Sequence, residues 1–574
     1  METGSECSCS YRNVSVMMLV AMAALVAACG VRALRAQQAP YDILIRGGRI
    51  VDGTGNPWFT ADVGIRGDRI EAVGRLNGAS AARVINAEGL VVAPGFIDLH
   101  THSDMPLLAD GTAQSKVRQG VTLDVIGEFE SVAPRDGLTG GYESDGVDID
   151  WTTFTGYFQR LQRQGTSINV ISHVSADQVR RVVMGYESRP ATPAELERMK
   201  QLVARSMEEG AWGLVTRYES GGPAFPQEVI ELAKVAAAYG GIYTSHIGSE
   251  GYQQEKELAF AIRVAKEAHI PVHIFHLKIR GRDNWGTVGK YIQQIEAARA
   301  VGLEITANQY PYTAMFHGWS AFFPVWTREG GPAKFAERLK DPAVRGRIKK
   351  DPDFIAWSKE HGGWDGIVLA RAFRAENKKY EGMRVSEIAK LRGDADPADT
   401  CITLMAEEGG RINGIFHTMS EDDVRLVMKQ PWVSIASDGS AINLEAAGVP
   451  HPRNYSTNVR VLGHYVRDEK VLALEEAIRK MTSLPAQILR LPDRGQIHEG
   501  FLADVVVLDP AKASETNSFE KPKSYAAGVP YVLVNGVVVV DKGEHTGAKP
   551  GRVLFGHGYK TQEAGKRSQN REQL

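Results

Sequence analysis

The stretch Gly89–Asp104, "GLVVAPGFIDLHTHSD", joins a β-rich region to a short apolar run that stops at two histidines. Pro94 and Gly95 separate two aliphatic segments, and His100 and His102 end the second one. Alternate side chains of a strand share a face, so both imidazoles can reach one point. A single buried histidine is more often a core residue, but a pair with this spacing predicts a metal site.

The sequence beyond this stretch repeats one pattern. Short apolar runs such as "INVISHV", "GIYTSH", "IPVHIFHLK" and "LEITANQY" alternate with amphipathic helical segments. Strands that alternate with helices indicate parallel βα units, and their number predicts a (β/α)₈ barrel over residues 94–491. A doubly wound open sheet is the competing fold. Residues 318–400 lack the βα rhythm and are interpreted as an insertion on the barrel.

Both ends of the chain have β-rich texture with Gly, Asn and Asp turn signals. Residues 37–93 and 492–560 are therefore predicted to pair into one composite β-sandwich, and 561–574 form a polar tail. The fold class is α/β, with a metal-dependent barrel and this sandwich.

Residues 14–31, "VSVMMLVAMAALVAACGV", form the one long apolar stretch, and it predicts an export signal within residues 1–36. A lone membrane anchor is the alternative. "VAAC" resembles a bacterial lipoprotein cleavage box that would leave a lipidated Cys29 as a membrane tether, whereas ordinary cleavage would fall near Ala36. We expect a bacterial, periplasmic or membrane-anchored protein.

The composition excludes a nucleic-acid-binding protein and a fold held together by disulfides. The apolar share is 43%, the charged share 24% and the net charge −2. The protein therefore lacks the net positive charge that attracts nucleic acid. Of four cysteines, only Cys401 lies outside the leader, so the folded body can contain no disulfide framework. Oligomeric state is not indicated.

More candidate ligands end other apolar runs. His246 ends "GIYTSH", His276 follows Val272 and Ile274 at even spacing, and Asp438 ends "WVSIASD". His273 has the opposite parity and is interpreted as structural. Asp before Gly is often only a turn residue. Because strand ends converge on one face of a barrel, we expect these side chains to meet there, and imidazole and carboxylate suit zinc.

Two acids follow the apolar run in "VIGEFES". Gly127 permits a sharp turn, and Glu128 is the preferred carboxylate for bridging two metals, with Glu130 as the alternative. Both acids could instead be solvated loop residues.

Taken in order from about Tyr41 to Leu554, several motifs resemble the D-aminoacylase (N-acyl-D-amino-acid deacylase) branch of the amidohydrolase superfamily. They are "APGFIDLHTHSD", "QGVT" with "GE", "YTSHIGSE", "HLK", "YPYTA", "ASDG", "HPRNYST" and "RVLGHYVR". The resemblance implies a barrel with one or two zinc ions. Two departures matter: "GEFE" replaces the cysteine-containing "GNCG", with Glu128 at the cysteine position, and "YSTNVRVLG" differs from "YGTFPRVLG".

The resemblance also suggests roles in substrate binding. Lys278 and Arg453 are candidates for holding a free carboxylate, and Tyr218, Tyr310 and Tyr312 for contacting the amide oxygen or the acyl group. Asp438 would take a proton from water and return it to the departing amine. If Asp438 proved structural, His273 or His451 would be the next candidates.

Three functions are considered. The leading one is zinc-dependent hydrolysis of small N-acyl-D-amino acids. The same metal site could instead cleave cyclic amides or dipeptides that contain a D-residue. A non-catalytic lipoprotein that binds an acylated ligand is the third, and Asp438 argues against it because a pure binder needs no general base.

Overall fold

The computed structural model describes residues 41–128, 131–136, 146–217, 225–247, 250–251 and 254–560. The predicted leader, Cys29, Glu130, Tyr218 and the polar tail lie outside these residues. No helix in the described part of the chain has both the length and the apolar character needed to cross a membrane.

Five strands form the N-terminal part of a β module: β1 (Tyr41–Ile50), β2 (Phe59–Arg66), β3 (Arg69–Gly74), β4 (Ala81–Asn86) and β5 (Val91–Pro94). The next eight follow in barrel order: β6 (Phe96–Asp98), β7 (Val121–Ile126), β8 (Asn169–Ser172), β9 (Val174–Ser175), β10 (Gly213–Thr216), β11 (Ile242–Ser245), β12 (Val272–Ile274) and β13 (Ile305–Gln309). The remaining strands are β14 (Ala314–Gly318), β15 (Ile367–Arg371), β16 (Asn413–His417), β17 (Val433–Ile435), β18 (Val505–Leu508), β19 (Tyr531–Val534), β20 (Val537–Asp541) and β21 (Glu544–His545).

Helices connect the barrel strands in the order that the sequence pattern predicts. They are Pro106–Ala109, Gln114–Val117, Phe154–Gln164, Ala176–Met184, Pro193–Glu208, Pro226–Ala238, Gln254–Ala268, Val288–Ala300, Glu421–Met428, Arg453–Arg460, Leu474–Met481 and Ser483–Ile488. A π-helical segment, Val461–Asp468, continues Arg453–Arg460.

The barrel is built from parallel strands in two hydrogen-bonded runs. One run is β6-β7-β8 and the other is β9-β10-β11-β12-β13-β17. The amide of His173 donates to Ile126 O, so β8 and β9 continue one interrupted strand. At the other seam, Thr101 forms a parallel bridge with Gly439, just beyond the assigned ends of β6 and β17. The eight-stranded architecture is therefore confirmed over the open-sheet alternative.

The β module joins the two ends of the chain, as expected. β5 pairs antiparallel with β18, with Val92 opposite Val507, and the nine module strands belong to one hydrogen-bonded sheet. β1 pairs with β2 on one edge, where a bulge lies between Ile45 and Gly48, and with β4 and β5 on the other edge. The module has its own apolar core, which includes Ile45.

The insertion is longer than the predicted 318–400. It leaves the barrel after β13 and returns before the helix Glu421–Met428, because β14 and β15 both pair with β16. These pairings bring segments outside the predicted bounds into one antiparallel sheet. Six helices complete the insertion: Val325–Arg328, Pro332–Arg338, Pro342–Ile348, Pro352–Glu360, Val385–Arg392 and Pro397–Glu407. It packs around a separate apolar core that includes Trp319.

Candidate metal centre

The predicted metal ligands converge at the carboxyl-end mouth of the barrel. Their donor atoms form two overlapping groups, within each of which all ligand atoms lie within 4.8 Å of one another. The first group is His100, His102, Glu128 and Asp438, and the second is His100, His246 and His276. The structure thus brings together the residues that strand-end reasoning selected from separate apolar runs.

Glu128 occupies its position because of the turn at Gly127. Gly127 has φ +94°, and a Cβ there would lie 2.4 Å from His173 O, so only glycine fits. The Oε2 atom of Glu128 lies 3.1 Å from His100 Nε2 and 2.7 Å from His102 Nε2. Its Oε1 atom contacts His246 Nε2. The two oxygens therefore face different ligand groups, which is the geometry that a bridging carboxylate needs.

The carboxylates of the first group remain charged. Burial opposes ionisation of Glu128, but nearby imidazoles, led by His102, hold its pKa well below the usual value. Burial also disfavours a charged His102, yet Glu128 and Asp438 raise its pKa to about 10. Arg453 already pairs with Asp438, and the second buried carboxylate is balanced by a further cation, either a proton on His102 or a metal ion in its place.

Two imidazoles of the second group, those of His246 and His276, are held neutral. Burial lowers the pKa of His246 well below its usual value, and burial followed by Lys278 lowers that of His276. Neutral imidazole is the form that binds metal. Within the described residues, both ring nitrogens of His100 and the Nε2 atom of His246 are buried and make no well-aligned hydrogen bond, although Glu128 oxygens lie close to the two Nε2 atoms. These orphaned donors and the adjacent carboxylates fit a zinc centre.

His276 reaches the site for a reason other than strand parity. β12 ends at Ile274, and His276 has φ +35°, so alternation does not extend to it. Val272 and Ile274 belong to the apolar cluster that also contains helix residues such as Leu258. The parity argument was therefore wrong, because the left-handed backbone at His276 redirects its side chain to the ligand group.

Neither alternative base has a free ring nitrogen. His273 contacts Thr306 Oγ1 through Nδ1 at 2.8 Å and Asn308 Nδ2 through Nε2 at 2.9 Å. His451 contacts Ala314 O through Nε2 at 3.0 Å and accepts from the amide of Arg453 through Nδ1 at 3.0 Å. Both rings are buried and are held by these contacts.

Asp438 lies directly against the first ligand group. Its Oδ1 atom is 2.9 Å from His102 Nε2, and its Oδ2 atom accepts from Arg453 Nη1 at 2.7 Å. Burial opposes the charge, but Arg453 and then His100 keep the pKa of Asp438 well below its usual value. The side chain is therefore anionic at neutral pH and can accept a proton.

Three of the predicted substrate-binding residues come together beside Asp438. Lys278 Nζ lies 5.4 Å and Arg453 Cζ 5.0 Å from the centroid of the Tyr310 ring. Tyr312 instead packs against His451, with ring centroids 5.2 Å apart, and does not line the main cavity. Tyr218 lies outside the described residues.

Glu250 is a functional candidate that sequence reasoning missed. Its Oε1 atom lies 2.8 Å from His276 Nδ1 and also contacts Lys278 Nζ, which is itself 2.7 Å from the same nitrogen. Burial disfavours its charge, but Lys278 and His276 lower its pKa. Glu250 therefore orients the His276 ring and neutralises Lys278. The motif "YTSHIGSE" contained this acid, but nothing in its spacing distinguished it from a loop residue.

A cavity of about 1190 Å³ opens onto the metal ligands. Its walls come from the barrel mouth and from the insertion, which contributes Phe316, His317 and Trp357. This is space for a small molecule that would contact Lys278, Tyr310 and Arg453 beside the ligand groups.

Comparison with known proteins identifies the family. The family model described as "Amidohydrolase family" matches residues 83–312 and 382–540. A D-aminoacylase of Alcaligenes xylosoxydans xylosoxydans is 33% identical over 527 residues, covering 90% of this chain and 98% of that protein. The chain therefore belongs to the amidohydrolase family.

Solved structures narrow the position within the family. The structure of a D-aminoacylase with a binuclear metal centre aligns with a TM-score of 0.77 and 32% identity, over 90% of this chain and 100% of that chain. An N-acyl-D-glutamate deacylase from Bordetella bronchiseptica, complexed with zinc and a phosphonate mimic of the tetrahedral intermediate, aligns with a TM-score of 0.75 and 28% identity, over 90% and 100%. Within the amidohydrolases, this chain is a member of the D-aminoacylase group.

Proposed function

We propose that this protein is a zinc-dependent hydrolase that cleaves the amide bond of N-acyl-D-amino acids, giving a carboxylate and a free D-amino acid. The observation that carries this proposal is the pair of ligand groups that share His100 and are spanned by Glu128, with Asp438 in contact. The membership in the D-aminoacylase group supports the substrate class and its chirality.

The metal ligands have defined tasks in this proposal. His100, His102, Glu128, His246, His276 and Asp438 would hold one or two zinc ions. Bound zinc would polarise the amide carbonyl and make a water molecule acidic near neutral pH. Glu128, with one oxygen toward each ligand group, would bridge the two positions.

Asp438 moves the proton. Its anionic carboxylate accepts a proton as the water oxygen attacks the carbonyl carbon, and it delivers that proton to the amide nitrogen as the C–N bond breaks. The left-handed backbone at Asp438, with φ +50°, directs the carboxylate toward the imidazoles. One residue thus serves as general base and then as general acid.

Substrate orientation depends on the cations near Tyr310. Lys278 and Arg453 provide charge-assisted donors for the α-carboxylate. Both are already paired with acids, Glu250 and Asp438, so an incoming carboxylate must share or replace these partners. Binding a carboxylate here therefore also alters the surroundings of Asp438.

The decisive experiment is an activity screen of the metal-replete protein. It compares matched D- and L-N-acetyl amino acids with hydantoins and with dipeptides that contain a D-residue. Turnover confined to N-acyl-D-amino acids supports the proposal. Turnover of the cyclic amides or dipeptides alone would replace it with the second function, and no turnover by a zinc-loaded protein would favour a binding protein.

We also propose that a second negative charge on the substrate improves binding. Besides Lys278 and Arg453, six arginines line the cavity: Arg181, Arg217, Arg280, Arg328, Arg371 and Arg411. Arg280 is already paired with Glu360, so the proposal rests on the excess of cations over acids in the lining and not on an unpaired arginine. The acids among the described lining residues number six: Asp104, Asp110, Glu128, Glu250, Asp438 and Glu445. The neighbour from Bordetella bronchiseptica is named for N-acyl-D-glutamate.

N-acetyl-D-glutamate and N-acetyl-D-glutamine test this preference, because they have the same shape but differ in charge. We expect the glutamate to have a kcat/KM about tenfold higher, the scale of one charge-assisted hydrogen bond. Equal values would remove the charge preference and leave the deacylase proposal intact.

Export remains a proposal supported by the apolar segment 14–31. Metabolic labelling with palmitate, followed by mass determination of the mature chain, tests it. A lipid on Cys29 supports the membrane tether, a chain that begins near Gln37 supports a free exported protein, and a retained segment 14–31 supports an anchor.

A further inference from the structure

A charged network lies beneath the metal ligands, and the proposed chemistry has given it no task. Lys116, on the helix Gln114–Val117, is 0% exposed. Its ammonium donates to Asp98 Oδ2 at 2.9 Å, to Ser437 Oγ at 2.6 Å and to Gly439 O at 3.2 Å. The three acceptors use all three of its protons.

Two of these acceptors flank Asp438 on either side. Ser437 precedes it and Gly439 follows it, and the amide of Gly439 donates to Ser437 Oγ at 3.0 Å. Asp438 itself has φ +50°, a conformation that a non-glycine residue adopts at a cost and keeps only when its surroundings enforce it. Lys116 therefore holds both ends of the strained unit.

Asp98 completes the network from β6. Its Oδ1 atom accepts from the amide of Ser437 at 2.9 Å and from that of His100 at 3.4 Å, while Oδ2 accepts from Lys116. One carboxylate thus connects the lysine to the backbone of a metal ligand and to the residue before the proton carrier. Asp98 is 2% exposed, so water does not compete for these bonds.

We infer that Lys116 is a positioning residue for proton transfer, which fixes the backbone of residues 437–439 so that the Asp438 carboxylate points at the substrate. This inference rests on the proposed role of Asp438. Lys116 touches none of the metal ligands' side chains, nor does it line the cavity, so it acts on the reaction through the backbone that it holds. Its direct contacts are with residues 437 and 439 on either side of Asp438, whereas Asp98 separates it from the amide of His100, and zinc content distinguishes the two routes.

Lys480 is a matched control that contacts the opposite end of the same barrel strand. Its side chain is also 0% exposed, and its ammonium donates to Val433 O at 3.0 Å and to Gln430 O. Lys480 therefore holds the beginning of β17, whereas Lys116 holds the segment beyond its end. Both lysines are buried with a backbone carbonyl and a carboxylate close by, Asp98 at 2.9 Å from Lys116 and Glu476 at 3.5 Å from Lys480, but only Lys116 contacts the neighbours of Asp438.

The experiment compares K116M with K480M as zinc-loaded full chains. We expect both substitutions to lower the melting temperature, and only K116M to lower kcat, by about tenfold to a hundredfold, the scale of a catalytic group displaced by about 1 Å. KM and zinc content should stay near wild-type in both. Equal kcat losses in the two variants, or a normal kcat in K116M, would overturn the inference.

A double substitution tests whether the effect passes through Asp438. If it does, K116M combined with D438N should be no slower than D438N alone. Multiplying losses would contradict the inference. If D438N alone kept normal turnover, the proposed proton carrier would fail instead, so the two failures are distinguishable.

A milder variant covers the case in which K116M does not fold. S437A removes one acceptor of Lys116 and the acceptor of the Gly439 amide, but leaves the lysine paired with Asp98. We expect a loss of kcat of about threefold to tenfold, consistent with one lost hydrogen bond, with unchanged KM. An S437A enzyme with wild-type kcat would contradict the inference.

Discussion

The metal ligands and the neighbouring substrate-binding cations differ in how their buried charges are balanced. Around Glu128 and Asp438, buried acids face the imidazole ligands, and these two carboxylates raise the pKa of His102 to about 10. Around Tyr310, each cation already has an acid: Lys278 has Glu250 and Arg453 has Asp438. The first region holds a further cation besides Arg453, either a proton on His102 or a metal ion, whereas each cation of the second region already has an acidic partner until a substrate carboxylate competes for it. Substitutions should therefore act on metal content in the first region and on substrate affinity in the second.

The largest expected effect comes from E128A. Losing the carboxylate that faces both ligand groups should remove metal and reduce activity about a thousandfold, because zinc supplies several kcal/mol of transition-state stabilisation. Elemental analysis and activity should fall together, toward less than one zinc per chain. E130A is the control and should be mild. The reverse ranking would assign the bridge to Glu130.

D438N separates proton transfer from metal binding. The amide keeps the size of the side chain and can still offer an oxygen to zinc, but it cannot accept a proton at neutral pH. Turnover should fall about a hundredfold or more, the usual scale of general acid–base catalysis. Zinc content and melting temperature should remain near wild-type. Near-normal turnover with bound zinc would make Asp438 a structural residue.

K278M tests the second region, in which Lys278 and Arg453 lie beside Tyr310. Removing the ammonium should raise KM for N-acetyl-D-amino acids about tenfold or more, because a charge-assisted bond to the α-carboxylate is lost. Zinc content should be unchanged, which is what distinguishes this region from the ligands. K278R should recover part of the affinity. A loss of zinc in K278M would show that the two regions do not act separately.

The smallest expected effect is that of E250Q, and its sign is informative. If Glu250 competes with the substrate for Lys278, its neutralisation should lower KM by about threefold, within the range of a single hydrogen bond. A raised KM would mean that Glu250 orders the binding site instead of competing.

E250Q should also change the acid stability of the protein. The pKa of Glu250 lies below its ordinary value of 4.5 in the folded chain, since Lys278 and His276 outweigh the effect of burial. Its charge therefore contributes stability above pH 4.5, and that contribution is lost as the pH falls toward the folded pKa. Melting temperatures should decline less steeply in E250Q than in wild-type below pH 4.5.

Most of the candidate metal centre could be predicted from residues at strand ends, because the carboxyl ends of all barrel strands meet at one face of the barrel. His100, His246 and Asp438 could be assigned by this means alone. Glu128 needed one more step, the recognition that Gly127 permits a turn that no other residue could make.

The remaining features depended on backbone detail that short patterns do not encode. His276 lies beyond the end of its strand in a left-handed conformation, so parity gave a correct residue for a wrong reason. Glu250 and Lys116 act through partners distant in sequence, Lys278 and Ser437 respectively. The insertion was underestimated because β14 pairs with β16, a strand far away in sequence that a short pattern does not reveal.

The pairing of β5 with β18 has a consequence for biosynthesis. Val92 belongs to one of the first strands to be made, and its partner Val507 is among the last. During translation the edge of β5 therefore stays unpaired until the barrel, which lies between β5 and β18 in the sequence, has been synthesised. We expect chains truncated before Val505 to aggregate even when every metal ligand is present, because an unpaired strand edge is a template for association. The final strands of the polypeptide would thus decide whether the nascent chain reaches a soluble form.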